Sequence, residues 1–402
     1  MTNEQDQAFN NWLVALRRDL HAHPELAFEE RRTTKKLTQL LEEIGVEVQG
    51  FKTHTGVVGL LRGASDGPTI ALRADIDALP VEELGKSDYR SRHEGRMHAC
   101  GHDANTAIMV GVARRLVDSG ALKQCSGYVK FIFQPAEERL SGARTMIKAG
   151  VLEAPRVDRL LAGHMSPDIP VGRIGVFKNI GYASSDRFEI VVTGKGTHGA
   201  RPEEGNDPIV AGAALITLLQ SVVSRNVKPT LAGVITVGMF QGGTAGNVIP
   251  ESARITGTIR ALDADVRQTL IRRLKEVSAG IAAAYGVRCE VGVNDGSPVL
   301  VADESVSAFI YETACEVLGP DKVQYIPPIM GSEDFAFYTL QCPATIIRLG
   351  CANSATGVAY PLHSAYFDID ERVLTIGVDV FSRAVVRYLG NPPSITGDGK
   401  IR

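Results

Sequence analysis

Between Arg187 and Val293 the sequence pattern predicts strand, helix, strand, strand, helix, strand. The elements fall at Arg187–Thr193, Pro208–Ser224, Leu231–Phe240, Ala253–Leu262, Val266–Tyr285 and Arg288–Val293. That order is the ferredoxin-like split unit, complete within about 110 residues. It interrupts a different rhythm on either side. Upstream, Phe9, Trp12, Leu13, Leu16 and Leu20 recur at helical spacing, and a second helix is expected from Glu29 to Ile44. Strands at Val57–Leu61, Thr69–Arg73, Tyr128–Gln134 and Arg159–Ala162 then alternate with helices at Ala104–Ser119 and Ser141–Ala149. Downstream of Pro298 the alternation resumes, with a helix at Glu304–Leu318, a strand at Ala344–Leu349 and a helix at Asp370–Leu389. The pattern predicts an α/β domain built from residues 1–182 and 297–402, carrying an inserted α+β domain at 183–296. The polar tail from Asn391 to Arg402 is expected to be loosely ordered.

With 402 residues, two domains are also what chain length alone favours. The net charge is −3 and no block of like charge occurs, which argues against nucleic acid or an anionic membrane as partner. The N-terminal stretch is polar, unlike a signal peptide, and no apolar run is expected to reach bilayer-spanning length. Six cysteines at 100, 125, 289, 315, 342 and 351 show no paired spacing, which fits reduced thiols in a cytoplasmic protein.

Five strand-end or loop segments present metal-ligating residue types, several of them at or just beyond expected strand ends, where open α/β sheets build their sites. MHACGHD (97–103) places Cys100 and His102 two residues apart, with Asp103 a candidate to hold a ligand histidine from behind; alone, it also reads as a capped helix start beside a buried thiol. Glu137 and Glu138 follow the strand YVKFIF. Adjacent carboxylates there are costly to bury unless a cation compensates, although a solvated acidic turn has the same look. His164 follows RLLA, His363 follows Pro361, and Asp75 and Asp77 follow TIALR; each alone also fits an ordinary structural residue. Their coincidence is what points to a catalytic metal site. GKGTHG (194–199) matches a dinucleotide fingerprint, but no helix follows directly and no crossover surrounds it, so it is set aside.

Together these stretches resemble the M20 metallopeptidase family, in its amidohydrolase branch. The matching segments are LRRDLHAHPELAFEE, ALRADIDALPVEE, MHACGHD, FQPAEE, GHMSPDIPVGRIG, GTAGNVIPESARITGTIRALD, MGSEDFAFY and LHSAYFDIDE, running in order from Leu16 to Glu371. The resemblance implies a zinc-peptidase-like mixed-sheet catalytic domain with a ferredoxin-like dimerisation domain. It also implies two divalent metals (manganese, zinc, nickel or cobalt) on Cys100, His102, Glu138, His164 and His363, with Glu137 as general base. Either Asp75 or Asp77 would orient a ligand. His198 would reach into a neighbouring subunit's site, and Asn247 and Arg260 would hold a substrate carboxylate. The implied protein is a homodimer or higher homo-oligomer that cleaves N-acyl amino acids. A dipeptidase or carboxypeptidase, or a non-catalytic metal-binding protein on the same fold, is the alternative. The sequence departs from the family pattern at Asn105 and Glu203, where histidines are usual, at Thr197 for glycine and at Ala365 for proline.

Overall fold

The computed structural model describes residues 3–358 and 360–390, so the tail expected to be loosely ordered lies outside the described residues. Two compact units result: one from the chain up to Asn179, Val301–Pro327 and the chain from Phe337, the other from Ile180–Leu300 and Pro328–Ala336.

The first unit opens with helices α1 (Asn3–His21) and α2 (Arg31–Ile44) and strands β1 (Glu47–Gly50), β2 (Val57–Arg62) and β3 (Ser65–Asp75). It continues through α3 (His102–Ser119), β4 (Ser126–Gln134), α4 (Gly142–Lys148), β5 (Arg159–Pro170) and β6 (Ile174–Phe177). The second unit carries β7 (Ile180–Tyr182), β8 (Ser184–Thr193), β9 (Thr197–His198), α5 (Pro208–Asn226), β10 (Gly233–Gly242), β11 (Val248–Ile249), β12 (Ser252–Ala261), α6 (Ala264–Tyr285) and β13 (Arg288–Val293). After β14 (Leu300–Val301), the chain adds α7 (Glu304–Leu318), β15 (Val323–Ile326), α8 (Ala336–Thr339), β16 (Ala344–Ala352) and α9 (Arg372–Gly390).

Eight strands of the first unit form a mixed sheet in the order β1-β2-β4-β3-β5-β16-β6-β15. Its middle strands β4, β3, β5 and β16 run parallel. β4, β5 and β16 are buried along most of their length, as strands covered on both faces are. Helix α3 is rich in small residues and buried over most of its length, packing against α1 and α9. Leu13, Leu16 and Leu20 of α1, Leu37 and Leu41 of α2, and Leu374, Phe381 and Val385 of α9 join it in one core. In the second unit the sheet order β10-β12-β8-β13 is antiparallel throughout, which is the ferredoxin-like order for a β-α-β-β-α-β chain. Helices α5 and α6 bury Leu215, Leu219, Leu270 and Leu274 against Ile190, Ile255 and Ile259 of that sheet.

Three differences from the sequence expectation have physical causes. Helix α3 begins at His102 rather than Ala104, and β5 runs on through His164, so both histidines sit on regular elements and not in loops. Strands β1, β6 and β15, of four residues each, were too short to signal themselves by periodicity. Finally, α5 is long and apolar enough to cross a membrane by length and composition, contrary to the expectation that no segment would be. Its Ala211, Leu215, Leu219 and Val222 are buried in the second unit's core.

Candidate metal centre

The site is built where β3 and β4 end, α3 begins and β5 passes through His164. Gly101 adopts φ 83°, in the left-handed region, and a Cβ there would lie 2.6 Å from Met165 Cγ. This tight turn puts Cys100 immediately before the helix and His102 on its first residue. The Nδ1–H of His102 donates to the Asp77 carbonyl oxygen at 2.9 Å, with Asp77 Oδ1 3.3 Å away. On β5, His164 donates its Nδ1–H to the Met165 carbonyl oxygen at 2.9 Å. Both rings are thus locked from behind, leaving each Nε2 lone pair for the site. His164 Nε2 lies 3.5 Å from Cys100 Sγ, and the two rings stand edge to face at 5.7 Å.

The turn after β4 supplies the carboxylates. Its Glu138 backbone N–H donates to Asp77 Oδ2 at 3.1 Å, and Glu138 Oε1 lies 3.4 Å from His363 Nε2. His363 arrives from the other end of the chain. It sits at φ 66° with its backbone N–H on the Ala99 carbonyl, and its side chain is 54% exposed. Ligand atoms of Cys100, His102 and His164 lie within 4.8 Å of one another, as do those of Cys100, Glu138 and His363, and those of His102, Glu137 and Glu138. Two donor triads therefore share the Cys100 sulfur.

Charge and hydrogen bonding test whether this set suits cations. His102 Nε2, Glu138 Oε1 and Asp77 Oδ1 are buried without a hydrogen-bond partner, a costly arrangement unless something electrophilic meets them. Burial, with Glu138 adding to it, pushes the Cys100 thiol up to about 12. Burial pulls His102 down, but Asp75 and Cys100 outweigh it and lift its pKa well above 6.5. The negative field that draws a proton to His102 would equally draw a divalent cation, and a coordinating thiol is deprotonated outright. One thiol, three imidazoles and carboxylate oxygens fit such a guest.

Asp75 and Asp77 have different surroundings. Asp77 touches His102 on its Nδ1 side and also holds the Glu138 backbone. Asp75 lies on the opposite side, its Oδ2 3.7 Å from His102 Nε2, where Arg73 at 2.7 Å and Asn105 at 2.7 Å hold it. Burial would raise the Asp75 pKa, but His102 and Arg73 bring it down to about 2. Asn105, standing where the family pattern has histidine, is thus an Asp75 partner. Asp103 corrects an expectation: it neither braces a ligand histidine nor caps the helix. It pairs instead with Arg17 Nε and His21 Nδ1, each at 2.8 Å. Arg17, fully buried, also reaches Asp368 at 2.9 Å, so this cluster joins α1, the start of α3 and the stretch after His363. Neither Arg17 nor His21 was picked out beforehand, although both lie in the segment LRRDLH, where two arginines interrupt an apolar helical stripe.

The remaining residues of interest belong to the second unit. His198 on β9 pairs in register with Val248 of β11, and Asn247 precedes that strand, its carbonyl accepting from Gly199 N. His198 Nδ1 accepts the Ala200 N–H at 3.0 Å, so its Nε2 carries the proton and points a donor outward. Arg260 on β12 donates to the Met330 carbonyl at 2.9 Å, and burial lowers its pKa. GKGTHG contains β9 of the β9–β11 ribbon, and no α-helix begins between it and Pro208.

Mixed sheet, split second unit and histidine-thiol-carboxylate cluster together point to a metal-dependent hydrolase. Residues 71–387 match Peptidase family M20/M25/M40, and the chain belongs to that family as a metal-dependent amidohydrolase. Over 96% of this chain and 98% of its own length, N-acetylcysteine deacetylase of Bacillus subtilis is 40% identical. Thermostable carboxypeptidase 1 of Saccharolobus solfataricus is 37% identical over 94% of this chain and 95% of its own. Among solved structures, a dinuclear metal binding peptidase of the M20 family from Bacillus subtilis superposes with a TM-score of 0.83 at 37% identity, covering 95% of this chain and 99% of that one.

Proposed function

We propose that the chain is a dinuclear amidohydrolase that removes the acyl group from N-acyl amino acids. The observation that carries this reading is the pair of donor triads sharing Cys100, with Glu137 beside them. Its relatives support it: one is named for N-acetylcysteine deacetylation, and a solved neighbour is described as dinuclear. Cys100, His102 and His164 would hold one cation, and Cys100, Glu138 and His363 the other. Divalent cations held there would supply Lewis acidity, lowering the pKa of water and drawing charge from a carbonyl. Zinc, manganese, nickel and cobalt all suit the donors.

Glu137 would take the proton of the attacking water and pass it to the leaving amine. Asp77 would keep His102 in the tautomer that presents Nε2, and Asp75 would hold negative charge against that ring's other face. His198, with its proton on Nε2, would donate to the oxygen of the scissile carbonyl from a second copy of the chain, making the working form a homodimer. Arg260 and Asn247 would grip the substrate carboxylate, a task for which a guanidinium fork is suited. Six free cysteines support a reducing compartment, the cytoplasm, as its location.

A carboxypeptidase is the second reading, favoured by the 37% identity to a protein of that name. Assays across N-acetyl and N-benzoyl amino acids and matched dipeptides separate the two. Faster cleavage of the acyl amino acids is expected, and cleavage of dipeptides alone would overturn the proposal. Glu137→Gln should keep its metal while kcat falls at least about 100-fold; metal analysis with steady-state kinetics checks both.

A further inference from the structure

The segment LRRDLHAHPELAFEE contributes none of the donors above, yet its last residue reaches the catalytic turn. Glu30 occupies the N-cap position of α2 but makes no capping hydrogen bond to that helix. The helix start is served instead by Glu25, whose carboxylate accepts the Arg32 and Thr33 N–H groups at 2.9 and 2.8 Å. Glu30 is fully buried and turns the other way. Its Oε1 accepts the Phe28 N–H at 2.9 Å and, across 106 residues, the Ala136 N–H at 3.0 Å; its Oε2 accepts the Thr55 hydroxyl. All three donors are neutral, so no cation offsets the cost of burying this carboxyl group. Burial pushes it up to about 7.

Ala136 is where the chain must be held. It sits at φ 54°, in the left-handed region, and its carbonyl accepts the Gly142 N–H at 3.1 Å to close the turn. Glu137 follows it, and the next N–H, that of Glu138, is taken by Asp77. The residue proposed as base is therefore bracketed: a carboxyl group anchors the amide before it and another the amide after it. Asp77 also serves His102, whereas Glu30 reaches no donor of the metal cluster through its hydrogen bonds.

We propose that Glu30 is a positioning residue that sets the Pro135–Glu138 turn so that the Glu137 carboxylate meets the attacking water. The inference rests on Glu137 being the base. Reach, not charge, is what the role requires. Glu30→Gln keeps the length and an acceptor oxygen, and its amide can donate to the Thr55 hydroxyl. Glu30→Asp keeps the charge but is one methylene too short.

The test uses the metal-loaded full-length enzyme with an N-acetyl amino acid. Glu30→Asp and Glu30→Ala should lower kcat about 10- to 100-fold with KM changed less than about twofold, and Glu30→Gln should stay within about threefold of wild type. Zinc affinity, read by chelator competition, should move less than about threefold in all three variants, and peptide 134–142 should exchange its amide hydrogens faster in Glu30→Asp. On a Glu137→Gln background, Glu30→Asp should cost nothing further, because residues acting through one group are not additive. An equal loss on that background overturns the proposal, as do unchanged kcat, Gln behaving like Asp, or a loss seen in KM or zinc affinity. Should Glu30→Ala fail to fold, the Asp and Gln pair still decides. Full activity in Glu137→Gln itself would sink the base assignment, separately from anything Glu30 does.

Discussion

Two donor triads meet at the Cys100 sulfur, whereas His363 belongs to one of them. Cys100→Ala should therefore weaken both cations and His363→Ala one, so elemental analysis after dialysis should find a lower metal content in the first variant than in the second. A second residue-scale prediction concerns pH. Burial and Arg17 pull the His21 imidazole down, but Asp103 and Glu83 outweigh them and raise its pKa above 6.5. A histidine whose folded pKa exceeds its unfolded value contributes stability fully present below about 6.5, lost as pH rises through the folded pKa. The Tm gap between wild type and His21→Asn should thus be widest near pH 6 and narrow on the alkaline side. Legibility at this scale was uneven. Cys100, His102, Glu138, His164 and His363 stood out because each puts a ligating side chain after an expected strand or in an expected loop, and the structure brings their donor atoms close together in triads. Arg17, Glu30 and Arg73 could not. Their meaning lies in partners up to 354 residues away, and a buried charge looks in sequence like any solvated one.

Elements carry these residues, and their ends matter more than their middles. Extension of β5 through His164 and of α3 back to His102 turns two expected loop histidines into rigidly mounted ones. Periodicity finds the centre of such elements and is blind to where hydrogen bonding stops, so these boundaries were not legible. Gly101 and Gly142 are the structural conditions for the two turns. A Cβ on Gly142 would lie 1.6 Å from the Pro135 carbonyl oxygen. Gly101→Ala, forced into a left-handed conformation against Met165, is expected to cost about 1–3 kcal/mol and to weaken zinc binding beyond what the stability loss explains. Denaturant unfolding of the metal-free protein beside chelator competition measures the two effects separately. The same substitution at Gly120, also left-handed but meeting only the Lys123 side chain, should leave zinc affinity unchanged.

On the scale of the whole molecule, the β-α-β-β-α-β order was the easiest feature to read, because a change from alternating strands and helices persists over many residues and averages out local ambiguity. The proposed dimer yields a complementation test. Glu137→Gln and His198→Ala protomers should each be nearly inactive alone, while unfolding and co-refolding an equal mixture should restore about a quarter of wild-type activity if His198 serves its partner's site. No recovery would place His198 in its own chain's chemistry. Strand order adds a matter of timing. Strand β16 lies between β5 and β6 in the large sheet, although the whole second unit separates it from them along the chain. A nascent chain leaving the ribosome can assemble β1 to β5 early, yet the sheet stays divided until residue 352 is made, and His363 comes later still. On the proposed ligand set, the second triad is complete only once residue 363 has been made. A chain cut short before His363 would keep most of the donors and still lack the one that completes the second triad.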